Sequence, residues 1–250
     1  MMKRRCQLIA ACGVIFAIAL LVYDRAPITY GKWTKQTAYL WLIDSWYGQA
    51  HNSTASILLV DDDGGNGIYQ LKRICEETGF KATFAVIPAR LSNKEVDSLR
   101  KWKKEGYGIC LHGYNHDDWK GWTSQDVIED INMCEALLLK KGINLKELSR
   151  YVVTPYSRNT AAIRKAIQAK QYKMITGASL ANPDTTRFQF GRVFISKATD
   201  LKEIESWLKK AKLKSAFIIL GTHSSNKEEF APDKIKATLT MAKEIGFEQL

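Results

Sequence analysis

Three adjacent carboxylates, two histidines four residues apart and a lone histidine far downstream are the side chains best equipped for chemistry. Asp61, Asp62 and Asp63 stand together before Gly64 and Gly65, at the end of an apolar run. Carboxylates this close repel one another, and a cation or a shared proton relieves the repulsion. A simple turn capping the next helix would account for one aspartate but not for three. The EF-hand spacing of a calcium loop is absent, since no bidentate glutamate follows at the required place. His112 and His116 close a second apolar run, with Gly113 between them. On a helical turn their i,i+4 spacing would put both imidazoles on one side, within reach of one ion. Thr154-Pro155-Tyr156 follows a third apolar run, and Leu220-Gly221-Thr222-His223 ends a fourth. Two imidazoles and a carboxylate suit zinc in a hydrolase or non-haem iron in an oxygenase. A spare aspartate next to the ligand favours hydrolysis, because it supplies a general base for an activated water. A spare imidazole, His223, can move a second proton.

These residues are far apart in sequence, so the elements between them must bring them together. Strand signals fall at 57–60, 82–87, 107–111, 151–153, 173–176, 192–195 and 216–220. Helical spacing falls at 68–78, 93–105, 124–141, 160–170, 200–212 and 232–244, with Gly79, Gly106 and Gly142 as stops. Such β-α alternation argues for an α/β fold with parallel strands and outer helices. Seven or eight strands fit a barrel better than an open sheet. In such folds the loops after the strands gather at one face, and each polar cluster lies just past a strand.

The chain's 250 residues, 46% of them hydrophobic, suffice for one well-buried domain over 56–250 plus a small extra element. The formal charge of +11 favours anionic surroundings. No arginine-rich run or nucleic-acid-binding signature accompanies it, so nucleic acid is not an expected partner, and solvated helix faces account for most of the lysines. Five cysteines, an odd number without a C-x-x-C, argue against a disulfide framework. Cys75, Cys110 and Cys134 read as small buried hydrophobes. Lys3, Arg4 and Arg5 precede an apolar run over 8–23, the order of an export signal. Residues 1–25 are therefore expected to form a hydrophobic helix that is either a single-pass anchor in the cytoplasmic membrane or a cleaved signal peptide. Alternatives for cleavage are a site after Ala17-Ile18-Ala19 and a lipoprotein site at Cys12. Each places the rest of the chain outside the cytoplasm, anchored or secreted. Residues 26–55 read as an aromatic-rich connecting region, in which His51 has no assigned role.

Val60-Asp61-Asp62-Asp63-Gly64, His112-x-x-x-His116, Thr154-Pro155-Tyr156 and Leu220-Gly221-Thr222-His223 together resemble the polysaccharide deacetylases (NodB homology, carbohydrate esterase family 4) over about residues 55–250. The resemblance implies a distorted (β/α)7 barrel and the removal of N- or O-acetyl groups from a cell-wall or surface polysaccharide. It implies that Asp63, His112 and His116 hold a divalent metal, zinc first, with cobalt, nickel or manganese as alternatives. It implies Asp62 as the catalytic base and His223 as the catalytic acid. Pro155 and Tyr156 would line the substrate groove, with the Tyr156 N–H towards the oxyanion. This chain departs from the family pattern in places. Val60-Asp61 stands where Thr-Phe is usual. The third motif lacks its arginine, for which Arg150, Arg158 or Arg192 would have to substitute. A fourth motif with tryptophan and aspartate is not evident between Gly177 and Arg192. Trp119 and Trp122 would be either sugar platforms or packing residues. The other functions consistent with the residues are a catalytically weak glycan-binding relative and a hydrolase of another carbon–nitrogen amide bond.

Overall fold

The computed structural model describes residues 54–178, 182 and 185–250. The expected N-terminal hydrophobic helix, the connecting aromatics, His51, Cys6 and Cys12 lie outside the described residues. Among the described residues, no helix is long and apolar enough to cross a membrane.

Among the described residues, eight strands and six α-helices alternate along the chain. They are β1 (Ser56–Asp62), α1 (Ile68–Thr78), β2 (Ala82–Val86), α2 (Asn93–Lys104), β3 (Gly108–Leu111), α3 (Ser124–Lys140), β4 (Tyr151–Val153), α4 (Ala161–Ala169), β5 (Lys173–Ala178), β6 (Gln189–Phe194), α5 (Leu201–Leu213), β7 (Phe217–Thr222), α6 (Pro232–Ile245) and β8 (Glu248–Gln249). Strands β1 to β7 pair in sequence order, all parallel, and β1 also pairs with β7, so the sheet closes into a seven-stranded barrel. Closure is uneven. Strands β3 and β4 share only the pair Leu111↔Val152, and the β5–β6 register shifts between Ile175 and Ala178. These are the places where the barrel is distorted. The short strand β8, which carries no apolar run and escapes sequence reading, pairs with Ser56 and Ile57 at the start of β1.

Parallel strands buried on both faces read as continuous apolar runs, and β1 is buried along its whole length. Side chains alternate between the barrel axis and the helix layer. Leu58, Val60, Ala85, Cys110, Val153, Ile175, Phe190, Phe217 and Ile219 form one cluster on the axis, to which every barrel strand contributes. Phe190 meets Phe217 edge to face, with ring centroids 5.5 Å apart. On the outer side, Phe84 packs against Trp102 of α2 and against Tyr107. The expected buried cysteines Cys75, Cys110 and Cys134 are all buried and free.

Helix starts are set by local chemistry. Ser92 and Glu95 make a capping box on α2, and Thr123 and Asp126 make one on α3. Glu95 has a second duty: its Oε1 accepts from Gly65 N at 2.9 Å while Oε2 serves Ser92. The start of α2 thus holds the loop that follows the three aspartates. Truncating Phe190 to Ala opens a cavity on the axis. It should cost about 3–5 kcal/mol, read as a lower urea midpoint with an unchanged slope.

Candidate metal centre

Strand parity decides which side chains reach the barrel mouth. On β1 the axis positions are Leu58, Val60 and then Asp62. The same two-residue step leads from Cys110 to His112, from Phe190 to Arg192 and from Phe217 and Ile219 through Gly221 to His223. Each chemical residue is the next inward position above the apolar core. Asp61 has the opposite parity and faces outward, where its oxygens accept from Ser224 N at 2.8 Å and Ser224 Oγ at 2.6 Å. The third carboxylate is therefore neither a ligand nor the sign of a shifted register. Burial pushes its pKa up to about 8, although the Ser224 bonds oppose the shift.

Asp63, His112 and His116 converge, with one ligand atom from each lying within 4.8 Å of the others. Asp63 Oδ1 is 3.3 Å from His112 Nε2 and 3.5 Å from His116 Nε2. The i,i+4 histidines do this without a helix. They lie on a loop in which Gly113 (φ 75°) and His116 (φ 62°) are left-handed, and that turn, rather than a helical face, brings the rings to 4.8 Å between centroids. Pro155 enforces the need for glycine at 113, since a Cβ there would lie 2.9 Å from Pro155 Cγ. Asp130 of α3 accepts from Tyr114 N at 2.8 Å and anchors the same loop. Asp63 is itself left-handed at φ 73°, and Tyr156 at φ 51°. Such backbone in non-glycine residues persists where surrounding structure imposes it, and it clusters at functional sites.

These residues fit a divalent metal. His112 Nδ1 lies 2.8 Å from Val153 O. Donation to that carbonyl puts the ring proton on Nδ1 and leaves the Nε2 lone pair aimed at Asp63. Asp63 Oδ1 is buried yet has no hydrogen-bond partner. Burial opposes the ionised form of Asp63, but the neighbouring His112 imidazole holds its pKa below the usual carboxylate value. For His116, burial and the neighbouring His112 ring both lower its pKa, which favours the neutral, ligating form.

Asp62 sits beside this set. Its Oδ1 takes a 2.7 Å bond from Arg192 Nη1, with both side chains almost wholly buried. Its Oδ2 has no hydrogen-bond partner and lies 3.4 Å from His223 Nε2 and 3.9 Å from His112 Nε2. Burial alone would raise this carboxylate, but the charges of Arg192, His112 and His223 hold it far below the usual range. Burial pulls His223 down; the close contact with the Asp62 carboxylate, with Asp63 behind it, outweighs that and lifts the ring to about 9. His223 Nδ1 lies 2.7 Å from Glu229 Oε2, and its ring stacks on Phe194 at 4.8 Å. A Cβ on Gly221 would meet Arg192 Cδ at 3.2 Å and Phe194 at 3.1 Å, so the missing side chain leaves room for the arginine to reach across.

The structure selects among the arginines that could replace the third-motif one. Arg150 bonds the Lys170 and Gln171 carbonyls, Arg158 pairs with Asp118, and Arg192 alone of the three is on Asp62. Alternation of Phe190, Arg192 and Phe194 was its signal. Glu229 was not foreseeable, because it lies in a turn after His223 with no periodicity. Pro155 is buried behind Gly113, while Tyr156 is 58% exposed and packs its ring on His116 at 4.7 Å. Trp119 is fully buried, which removes it as a sugar platform.

A closed parallel barrel that gathers two histidines and a carboxylate at the carboxyl ends of its strands defines the class, an α/β barrel with a candidate metal site at its mouth. The family model for polysaccharide deacetylase matches residues 49–175, and the chain belongs to that family. No curated protein matches it. Among solved structures it is similar to the chitin deacetylase of the fungal pathogen Colletotrichum lindemuthianum, at 16% identity and TM-score 0.63 over 81% of this chain and 87% of that one. It is also similar to a family 4 carbohydrate esterase from Streptomyces lividans, at 12% identity and TM-score 0.54 over 76% and 87%. A third is BA3943, a CE4 family pseudoenzyme from Bacillus anthracis, at 14% identity and TM-score 0.54 over 80% and 64%. At these identities the likeness is one of fold.

The coupling of Asp62 and His223 can be read directly. In metal-free protein, the His223 ring should titrate near pH 9 by NMR, and Asp62→Asn should bring it down towards the model-peptide value of about 6.5. An unmoved midpoint would separate the two residues.

Proposed function

We propose that the protein is a metal-dependent deacetylase that hydrolyses N- or O-acetyl groups on a polysaccharide. The observation that carries this reading is the meeting of Asp63, His112 and His116 beside an arginine-held Asp62 and His223. Asp63, His112 and His116 would hold the metal, zinc first among the candidates. When bound, the ion supplies Lewis-acid polarisation of the acetyl carbonyl and activation of a nearby water.

The chain's own residues move the protons. Arg192 fixes Asp62 through Oδ1 and keeps it ionised, leaving Oδ2 to take a proton from the attacking water. The hydroxide adds to the acetyl carbon. The Tyr156 N–H faces the resulting oxyanion and, with its neighbours, stabilises it. The bond to the sugar nitrogen or oxygen then breaks. His223, protonated at neutral pH because of Asp62, gives its Nε2 proton to the departing amine or alcohol. Glu229 holds Nδ1 and so keeps the other nitrogen turned towards Asp62. Tyr156 would offer its exposed ring, packed on His116, to a sugar face, with the buried Pro155 behind it. The order Lys3, Arg4, Arg5 and then an apolar run over 8–23 supports an extracytoplasmic catalytic domain, anchored or secreted. Its expected substrate is a cell-wall or surface glycan.

Acetate release from acetylated chito-oligosaccharides, with and without zinc, tests the reading. His112→Ala should lose both metal and activity. His223→Ala should keep the metal and lose about 10²–10⁴-fold in kcat. Zinc-loaded protein that frees no acetate from any glycan would instead mark a glycan-binding relative without turnover. The pH profile has a defined sign. A raised histidine pKa means the proton is present below it, so the donor is lost as pH climbs through about 9. The alkaline limb of kcat should vanish in His223→Ala.

A further inference from the structure

Asp61 is buried, outward-facing and unused by the reaction proposed above. Both its oxygens go to Ser224, one to the backbone N–H and one to the hydroxyl. Ser224 directly follows His223. The β1–β7 ladder ends one residue before His223, at the pair Asp61↔Thr222. Beyond that pair, the Asp61 side chain supplies the acceptor that a longer ladder would have supplied. His223 is therefore held on both sides, by the ladder at Thr222 and by the carboxyl at Ser224.

The seat is also closed. A Cβ on Gly67 would fall 1.8 Å from Ser224 O, so the β1–α1 loop lies flush on this turn. A Cβ on Gly65 would come 3.3 Å from Ser225 Cβ. A buried carboxyl with a serine for partner is unfavourable compared with an apolar side chain of similar size. Its presence at this position makes sense as a clamp on the turn.

We infer that Asp61 is a positioning residue: by clamping Ser224 to β1 it fixes the backbone of His223, so that Nε2 stays within reach of Asp62 Oδ2. The effect on turnover rests on His223 being the proton donor; the effect on the His223 ring does not.

The test compares zinc-loaded Asp61→Ala, Asp61→Asn and Ser224→Ala for kcat, KM, zinc content and the His223 ring signal by ¹⁵N NMR. Asp61→Ala should lose on the order of 10- to 100-fold in kcat, with KM and zinc content unchanged and the ring signal displaced. Ser224→Ala, which keeps the backbone bond, should show a smaller loss in the same direction and remains informative where Asp61→Ala does not fold. Asp61→Asn can accept from Ser224 N–H and donate to its hydroxyl oxygen, so it should recover most of the turnover and the native ring signal. Wild-type kcat and ring signal in both Asp61→Ala and Ser224→Ala would overturn the clamp. So would an Asp61→Asn protein as damaged as Asp61→Ala. If the wild type itself frees no acetate, the deacetylase reading falls, and the ring signal alone still decides the clamp.

Discussion

A strand in a closed barrel has one face on the axis and one face under the helices, and this two-fold alternation governs the molecule. It assigns three consecutive aspartates three different fates. Asp62 continues the inward series of Leu58 and Val60 and ends in the mouth. Asp61, one residue earlier, goes under the helix layer to Ser224. Asp63, one residue later, has left the strand, and its left-handed backbone turns it towards the histidines. A one-residue slip would exchange Asp62 for the buried outward carboxyl of Asp61. The ladders on both sides of β1, from Leu59↔Ala82 to Asp62↔Ala85 and from Ser56↔Phe217 to Asp61↔Thr222, hold it against that slip.

Charge is the second constraint. Asp62 and Asp63 are neighbours at the end of a buried strand, where two bare carboxylates would be costly. Arg192 neutralises one oxygen of Asp62, and the histidines face the rest. What remains unanswered are Asp62 Oδ2 and Asp63 Oδ1, the two oxygens pointing into the mouth. A solely structural network would satisfy both, since a half-satisfied buried network is worse than an apolar one. At the mouth, this deficit lies where the proposed cation and reacting water would be received. The pair Arg192–Asp62 is better understood as setting one geometry and one ionisation state than as adding net stability.

Much of this was legible in the sequence, and the limits have physical causes. All seven barrel strands and the six helices among the described residues carry signals, but those of β5 and β6 are weaker, since Lys173, Gln189 and Arg192 break the apolar run, and β6 starts at Gln189, ahead of the 192–195 signal. Strand β8 carries none, because it is two exposed polar residues held by pairing alone. Asp62, Asp63, His112, His116 and His223 were identifiable because each lies at or just past the end of a strand. The form of the histidine pair was not. Four-residue spacing fits a helical turn, and only the glycine at 113 hinted at the loop that achieves the same convergence. Trp119 could not be separated from Trp122 by sequence, since packing against α3 and its neighbours, rather than composition, decides which indole is buried.

The two halves of the site differ in how they are encoded. The candidate metal-binding half, Asp63, His112 and His116, lies on the first loops of the barrel and within the 49–175 stretch that matches the family. The support for the proposed proton transfer, Arg192, His223 and Glu229, lies beyond it, on β6 and after β7. A ligand set tolerates little change in residue type, because it needs particular atoms at particular distances. An arginine that holds a carboxylate has more freedom. It is long, and any inward position on a neighbouring strand can bring the same guanidinium to the same oxygen, provided a gap is left for it. Gly221 is that gap. The arginine absent after β4 and the arginine present on β6 are thus two solutions to one requirement: Asp62 must remain a carboxylate inside a barrel that would otherwise protonate it.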